Sequence, residues 1–294
     1  MVRRTRARSF WLSFFVSVVL PAPGSPQGIA PILLEIPSGG EVLKGRFFPA
    51  VAEGPRPTFL LVPGWPGNPN DVLGLGALLP EFGFNVLMFN PRGMHGSSGT
   101  TTFAGVLDDI GAVWEWLHSA DVVGGFRVDT ARTALGGHSF GGGMALAYAA
   151  RDARVRRVVS IAGNDHAAFV RELDRSPAMA AEILAMLRST QTPDGPVRFD
   201  PEAGLREVRE NAGVYDLREN APRLADRAIL LIGGWEDTQV SIEGILLPLY
   251  RALKGAGAGD VRFVTFHDDH GFARVRGELA RAMADWLRRD NGHP

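Results

Sequence analysis

The sequence predicts an α/β fold: a mostly parallel central sheet flanked by helices, with one helical lid insertion. Three observations carry that expectation. From Pro31 onward, short β-branched or apolar runs alternate with longer segments of helical periodicity, the pattern of a parallel sheet covered by helices. Several of the short runs are continuously apolar and bounded by Pro or Gly, as strands buried on both faces are. A composition of 45% hydrophobic and 21% charged residues over 294 positions can bury a sizeable core, which argues against disorder, collagen and coiled coil.

Taken in order, Arg3, Arg4, Arg6 and Arg8 precede an apolar run of eleven residues, 10–20, followed by small residues and prolines over 21–26. This is the grammar of a signal peptide. A spanning helix needs about 20 apolar residues, so the run is short for a permanent anchor. Ala22 and Gly24 suit the small-residue positions before a cut. Residues 1–24 are therefore expected to be a signal peptide and 25–294 one domain, secreted or periplasmic, with an uncleaved anchor as the other reading. Loss of the four arginines would take the net charge from −1 to −5.

Residues 32–36 and 42–48 read as two opening strands around a Ser38-Gly39-Gly40 turn, forming a hairpin at the sheet edge. Residues 58–62 and 85–89 read as central strands. Between them, 71–82 is expected to be a helix. Residues 106–117 form a better one, with Val106, Ile110, Val113, Trp114 and Leu117 on one face. A strand over 133–136 leads into an alanine-rich helix over 141–150, and 155–161 is strand again. Residues 164–223 break the rhythm with more charge and several helical stretches, which suits a lid over the active face. The sheet then resumes with strand 228–232, helix 241–254, strand 261–266 and helix 278–289.

The most informative residues are Gly137-His138-Ser139-Phe140-Gly141, between a strand and a helix. A serine nucleophile needs a tight turn that projects its hydroxyl from the sheet, with glycines on either side so that neighbouring backbone can approach. Its hydroxyl is weak at neutral pH, so a base must take its proton and an acid must orient that base. The loop after strand 228–232 offers Glu236 and Asp237, and the loop after strand 261–266 offers His267 and His270. Asp237 and His270 are preferred, because each loop needs a few residues to turn back toward the serine. The run His267-Asp268-Asp269-His270 is a poor metal site, since four adjacent residues cannot all face one ion without strain.

An oxyanion needs amide donors. The amide of Phe140, directly after the serine, is one. Pro63-Gly64-Trp65-Pro66-Gly67 supplies the other, from Trp65, since Pro66 has no amide hydrogen. The Trp65 indole and His138 are expected to border the substrate pocket. Packing of Trp65 against the insertion, and of His138 within the elbow, is the alternative. His118, His166 and His293 are expected at the surface. The glycine-rich loop from Asn90 to Gly99 lacks the spacing of a phosphate or dinucleotide cradle.

Together the elbow at Ser139, the Pro63-Gly64-Trp65 turn, the Arg92-Gly93-x-x-Gly96-x-Ser98 loop, Asp237, and His270 followed by Gly271 and Phe272 resemble the α/β-hydrolase superfamily over nearly all of residues 32–289. The resemblance implies Ser139, Asp237 and His270 as a triad. Within the superfamily it is similar to esterases and to prolyl-oligopeptidase-type catalytic domains. No amino-terminal propeller is expected, and none of the tyrosines Tyr148, Tyr215 and Tyr250 is expected near the oxyanion turn, which favours esters over peptides. Relatives with an aspartate nucleophile are disfavoured by the serine at 139.

The resulting expectation is a serine hydrolase of carboxylic esters that needs no cofactor or metal and acts on a small-molecule ester or acyl substrate. A peptidase or amidase of the same fold, and a catalytically silent binding protein, stay open. With 31 basic against 32 acidic residues, nothing points to nucleic acid. The absence of cysteine excludes disulfides, thiolate metal sites and a cysteine nucleophile. No membrane partner is implied beyond the signal segment.

Overall fold

The described residues open with β1 (Ile32–Ser38) and β2 (Glu41–Phe48), an antiparallel hairpin that turns through Gly39 and Gly40 at φ of 56° and 89°. The structure, a computed structural model, describes residues 30–289, so the expected signal peptide and His293 lie outside the described residues. Then follow β3 (Arg56–Val62), β4 (Asn85–Phe89), β5 (Val128–His138), β6 (Arg157–Ile161), β7 (Ala228–Gly234) and β8 (Val261–Phe266). All eight form one sheet in the order β1-β2-β4-β3-β5-β6-β7-β8, in which β2 runs against the others.

Alternate residues of the central strands divide between two cores, as the period of two demands. Leu60 and Val62 of β3, Leu87 and Phe89 of β4, and Ile229 and Leu231 of β7 face one side. There they meet α2 (Phe103–Leu117), α4 (Phe140–Arg151) and α10 (Leu247–Gly255). Phe59 and Leu61, Val86 and Met88, and Leu230 and Ile232 face the other side, against α1 (Leu75–Leu78) and α11 (Arg276–Arg288). Because every residue of β4 and β7 is buried, truncating Leu87 or Leu230 to Ala would cost about 2–5 kcal/mol. Among the described residues, no helix is long and apolar enough to cross a membrane.

Some elements depart from the sequence reading. The helix expected over 71–82 shrinks to α1 and a 3-10 turn at Leu79–Phe82. Leu73 and Gly74 take left-handed φ of 55° and 75°, which stops a helix from starting earlier, and Pro80 withholds an amide. The Asp71 carboxylate instead accepts the amides of Gly76 at 2.7 Å and Ala77 at 3.0 Å. α3 (Ala120–Phe126) escapes the reading because Gly124 and Gly125 weigh against helix; packing of Phe126 on Phe47, at 4.5 Å between centroids, holds it in place. β5 starts at Val128, ahead of the expected strand, and its polar first half bulges where the register jumps from Arg56↔Val128 to Thr58↔Thr133. The helix expected over 241–254 begins with a π turn at Ile242–Leu246, next to Pro248, whose missing amide cannot close an ordinary helical bond.

Between β6 and β7 lie α5 (His166–Arg175), α6 (Pro177–Ser189), α7 (Pro201–Glu210), α8 (Ala212–Tyr215) and α9 (Ala221–Leu224). Asp165 and Asp200 cap α5 and α7 by accepting the amides of Ala168 at 2.8 Å and Ala203 at 2.9 Å.

Candidate active site

β5 ends at His138 and α4 begins at Phe140, so the whole turn falls on Ser139, at φ 54° and ψ −118°. A non-glycine residue takes such a conformation only where its surroundings impose it. Here the Ser139 amide donates to Ile161 O at 2.9 Å, and the Ser139 carbonyl accepts from Gly143 and Asn164, both at 3.1 Å. The flanking glycines are required by space. A Cβ at Gly137 would stand 2.4 Å from the Gly141 carbonyl carbon, and one at Gly141 would stand 2.3 Å from Val62 O. Strand, turn and helix therefore cross closer than any side chain permits.

The loop after β7 carries Asp237, whose side chain is fully buried. One of its oxygens accepts the amides of Gln239 at 2.8 Å and Val240 at 2.9 Å, and the other accepts His270 Nδ1 at 2.7 Å. A buried carboxylate needs such partners. His270, on the loop after β8, keeps 14% of its side chain exposed. With Nδ1 committed to Asp237, Nε2 is the nitrogen left to take up or give a proton. The rejected candidates point elsewhere. Glu236 pairs with Arg274, and His267 is exposed. Asp268 accepts the Asp269 amide at 2.8 Å and Arg274 Nε at 2.9 Å; burial raises its carboxyl, but these donors outweigh burial and hold it below the usual range. Among the described residues, no group of three His, Asp or Glu side chains could hold a metal ion.

The turn after β3 lies against the elbow, since a Cβ at Gly64 would be 3.2 Å from Ser139 Cβ. Among the described residues, the amides of Trp65 and Phe140 donate to no protein acceptor, so both are free to bind an oxyanion. Trp65 itself is half-buried. Its indole donates to Thr190 Oγ1 at 3.1 Å and packs edge-on against Phe199 and Phe140, at 4.8 and 5.9 Å. The ring thus lies between the elbow and the segment from α6 to α7. The hydroxyls of Tyr148 and Tyr215 are taken up by Asp152 at 2.8 Å and Glu207 at 3.3 Å, and Tyr250 stacks on Phe263.

One histidine sits differently from the sequence reading, and another gains a defined partner. His138, read as bordering the substrate pocket or packed within the elbow, lies against the base. Its Nε2 donates to the His270 carbonyl at 2.8 Å, and the two rings are 4.6 Å apart. Burial, then the neighbouring His270, push the His138 imidazole down to about 3. His166, expected at the surface, is only 4% exposed because α5 folds back on the elbow helix. Its Nε2 donates to Phe140 O at 3.2 Å, and burial lowers it to about 4. His118 is half-buried, with Nδ1 at 2.8 Å from Trp114 O. Asn90 was also missed as a brace for the loop after β3. It accepts the Asn68 amide and donates to the Asn68 carbonyl, each at 2.8 Å, and its place directly after a strand was the available signal.

Asp237 and His270 are thus joined directly, and Ser139 stands one residue from His138, which holds the His270 backbone. Among the described residues, the Ser139 hydroxyl forms no hydrogen bond of its own. Residues 57–182 match the family model for the alpha/beta hydrolase fold. The chain has the α/β-hydrolase fold. Est1E from Butyrivibrio proteoclasticus, also solved with ferulic acid bound, superimposes with a TM-score of 0.60 at 17% identity, covering 87% of this chain and 97% of that one. The acylaminoacyl peptidase of Pyrococcus horikoshii gives a TM-score of 0.63 at 16% identity, over 92% of this chain and 44% of that one. At these identities the likeness is one of fold. A curated relative, the polyketide transferase grgF of Penicillium sp, is 33% identical over 129 residues, which is 42% of this chain. The match spans 41% of that relative's length.

Proposed function

We propose that the protein hydrolyses carboxylic esters of small-molecule substrates through an acyl-enzyme formed on Ser139. The observation that carries the reading is the 2.7 Å bond from His270 Nδ1 to the buried Asp237, on two loops that end beside a serine elbow. His270 Nε2 takes the Ser139 proton as Oγ bonds to the ester carbonyl carbon, and the amides of Trp65 and Phe140 hold the oxyanion. As the carbon–oxygen bond breaks, the same proton passes to the departing alcohol. Water, deprotonated by His270, then attacks the acyl group and returns Ser139. Asp237 holds the imidazole tautomer and stabilises its cation. No step needs a cofactor. Helices α5 to α9 cover this edge as a lid, and the arginine-led segment at 1–24 directs export.

A fluorophosphonate probe should label the protein at Ser139, and Ser139→Ala should lose both labelling and p-nitrophenyl ester turnover. Unchanged turnover in that variant would refute the reading. The fold likeness to an acylaminoacyl peptidase makes amide cleavage the second reading. Faster turnover of aminoacyl anilides than of p-nitrophenyl esters would select it.

A further inference from the structure

His138 contacts three segments that the reaction needs. It belongs to the elbow, its Nε2 lies 2.8 Å from the His270 carbonyl, and a Cβ at Gly64 in the oxyanion turn would stand 3.1 Å from its Nδ1. Phe272 presses edge-on at 6.4 Å and 83°, which limits tilting of the ring. A carbonyl only accepts, so Nε2 must carry the proton. The charged groups facing the ring are His270 and Asp237. With its own protonation pushed down to about 3, His138 stays neutral while His270 gains and loses its proton. A second cation beside that imidazolium would oppose the proton transfer.

We propose that His138 is a positioning residue for the base: by donating Nε2–H to the His270 carbonyl, it fixes the backbone from which the His270 imidazole projects. Asp237 orients the ring, and His138 anchors the segment that carries the ring. The inference rests on the ester-hydrolase reading above. The Asp237 bond holds the ring through Nδ1, the His138 bond holds the backbone at the same residue, and small misplacements of a reacting group are costly.

The test compares His138→Phe, which removes the donor, with His138→Gln, whose amide reaches the same carbonyl, on a p-nitrophenyl ester. The Phe variant should lose kcat about 10- to 100-fold with KM within about 2-fold, and the Gln variant should recover most of that loss. If the Phe variant does not fold, His138→Leu removes the same donor with less bulk. A donor-less variant with kcat within about 2-fold of the parent, or a folded Gln variant as slow as the Phe one, would overturn the role. Ser139 labelling of the unsubstituted protein separates the two failures. Without it the hydrolase reading falls and takes this one with it; with it and normal variants, only the role of His138 falls.

Discussion

The loops after β7 and β8 and the helical segment between β6 and β7 meet the same edge of the sheet but are held by different means. Asp237 is fixed by amides two and three residues along its own loop and by one partner on the next loop. The α6–α7 connection is fixed instead by main-chain bonds to a distant loop. Arg198 N donates to Gly93 O at 2.9 Å, Thr101 N to Arg198 O at 2.8 Å, and His95 N to Pro196 O at 3.0 Å. Glu207 then accepts the amides of Phe103 and Ala104 at 3.0 and 2.6 Å, capping α2. The Asp237–His270 pair is therefore held locally at strand ends, whereas the helical segment depends on contacts about a hundred residues apart in the chain. Damage to the first should stop chemistry with little loss of stability, and damage to the second should do the reverse.

The largest effect expected from that contrast is in Asp237→Asn. Shape is kept, but the amide can present a donor where His270 Nδ1 needs an acceptor, so kcat should fall about 10³- to 10⁴-fold. The melting temperature should change little. A kcat within tenfold of the parent would remove Asp237 from the reaction and end the comparison.

An intermediate effect is expected at Asp71, in the loop after β3, where burial drives the carboxyl up to about 6 against the opposing Gly76 and Ala77 amides. A folded pKa above the unfolded one means that the native state holds the extra proton. That contribution is complete below about pH 4 and is lost as pH rises through 6. Asp71→Asn cannot ionise, so its stability relative to the parent should improve from pH 4 to pH 7, by up to about 3 kcal/mol. Denaturant melts at the two pH values check this, and a constant difference would show that Asp71 titrates normally.

The smallest effect concerns the helical segment. Glu207→Ala should cost about 1–2 kcal/mol, seen as a fall in melting temperature of about 2–4 °C, with kcat nearly unchanged. A large loss of kcat with full stability would instead tie α7 to the chemistry and blur the distinction.

What was legible in the sequence follows the same division. β4 and β8 have the expected ends, because apolar runs flanked by Pro, Gly and polar residues leave little choice of boundary. Asp237 and His270 could be singled out by their distance past strands that had already been recognised. The burial of His166 could not be read, because it depends on α5 folding back to Phe140. Nor could the loss of the 71–82 helix, because Leu73 adopts a left-handed turn that no local pattern announces. The partner of His138 could not be read for a related reason: it is a backbone carbonyl, and carbonyls carry no residue identity.

By itself, then, the amino-acid order determined which segments become buried strands and helices, and where a serine, an aspartate and a histidine follow strand ends. Hydrophobic periodicity and the steric limits of glycine and proline act over a few residues, so they are written locally. Tertiary structure alone decided how closely His270 is tied to Asp237, which imidazole holds the other's backbone, and what covers Trp65. Those outcomes turn on hydrogen bonds of about 3 Å between segments far apart in the chain, whose approach is set only when both faces of the sheet are packed.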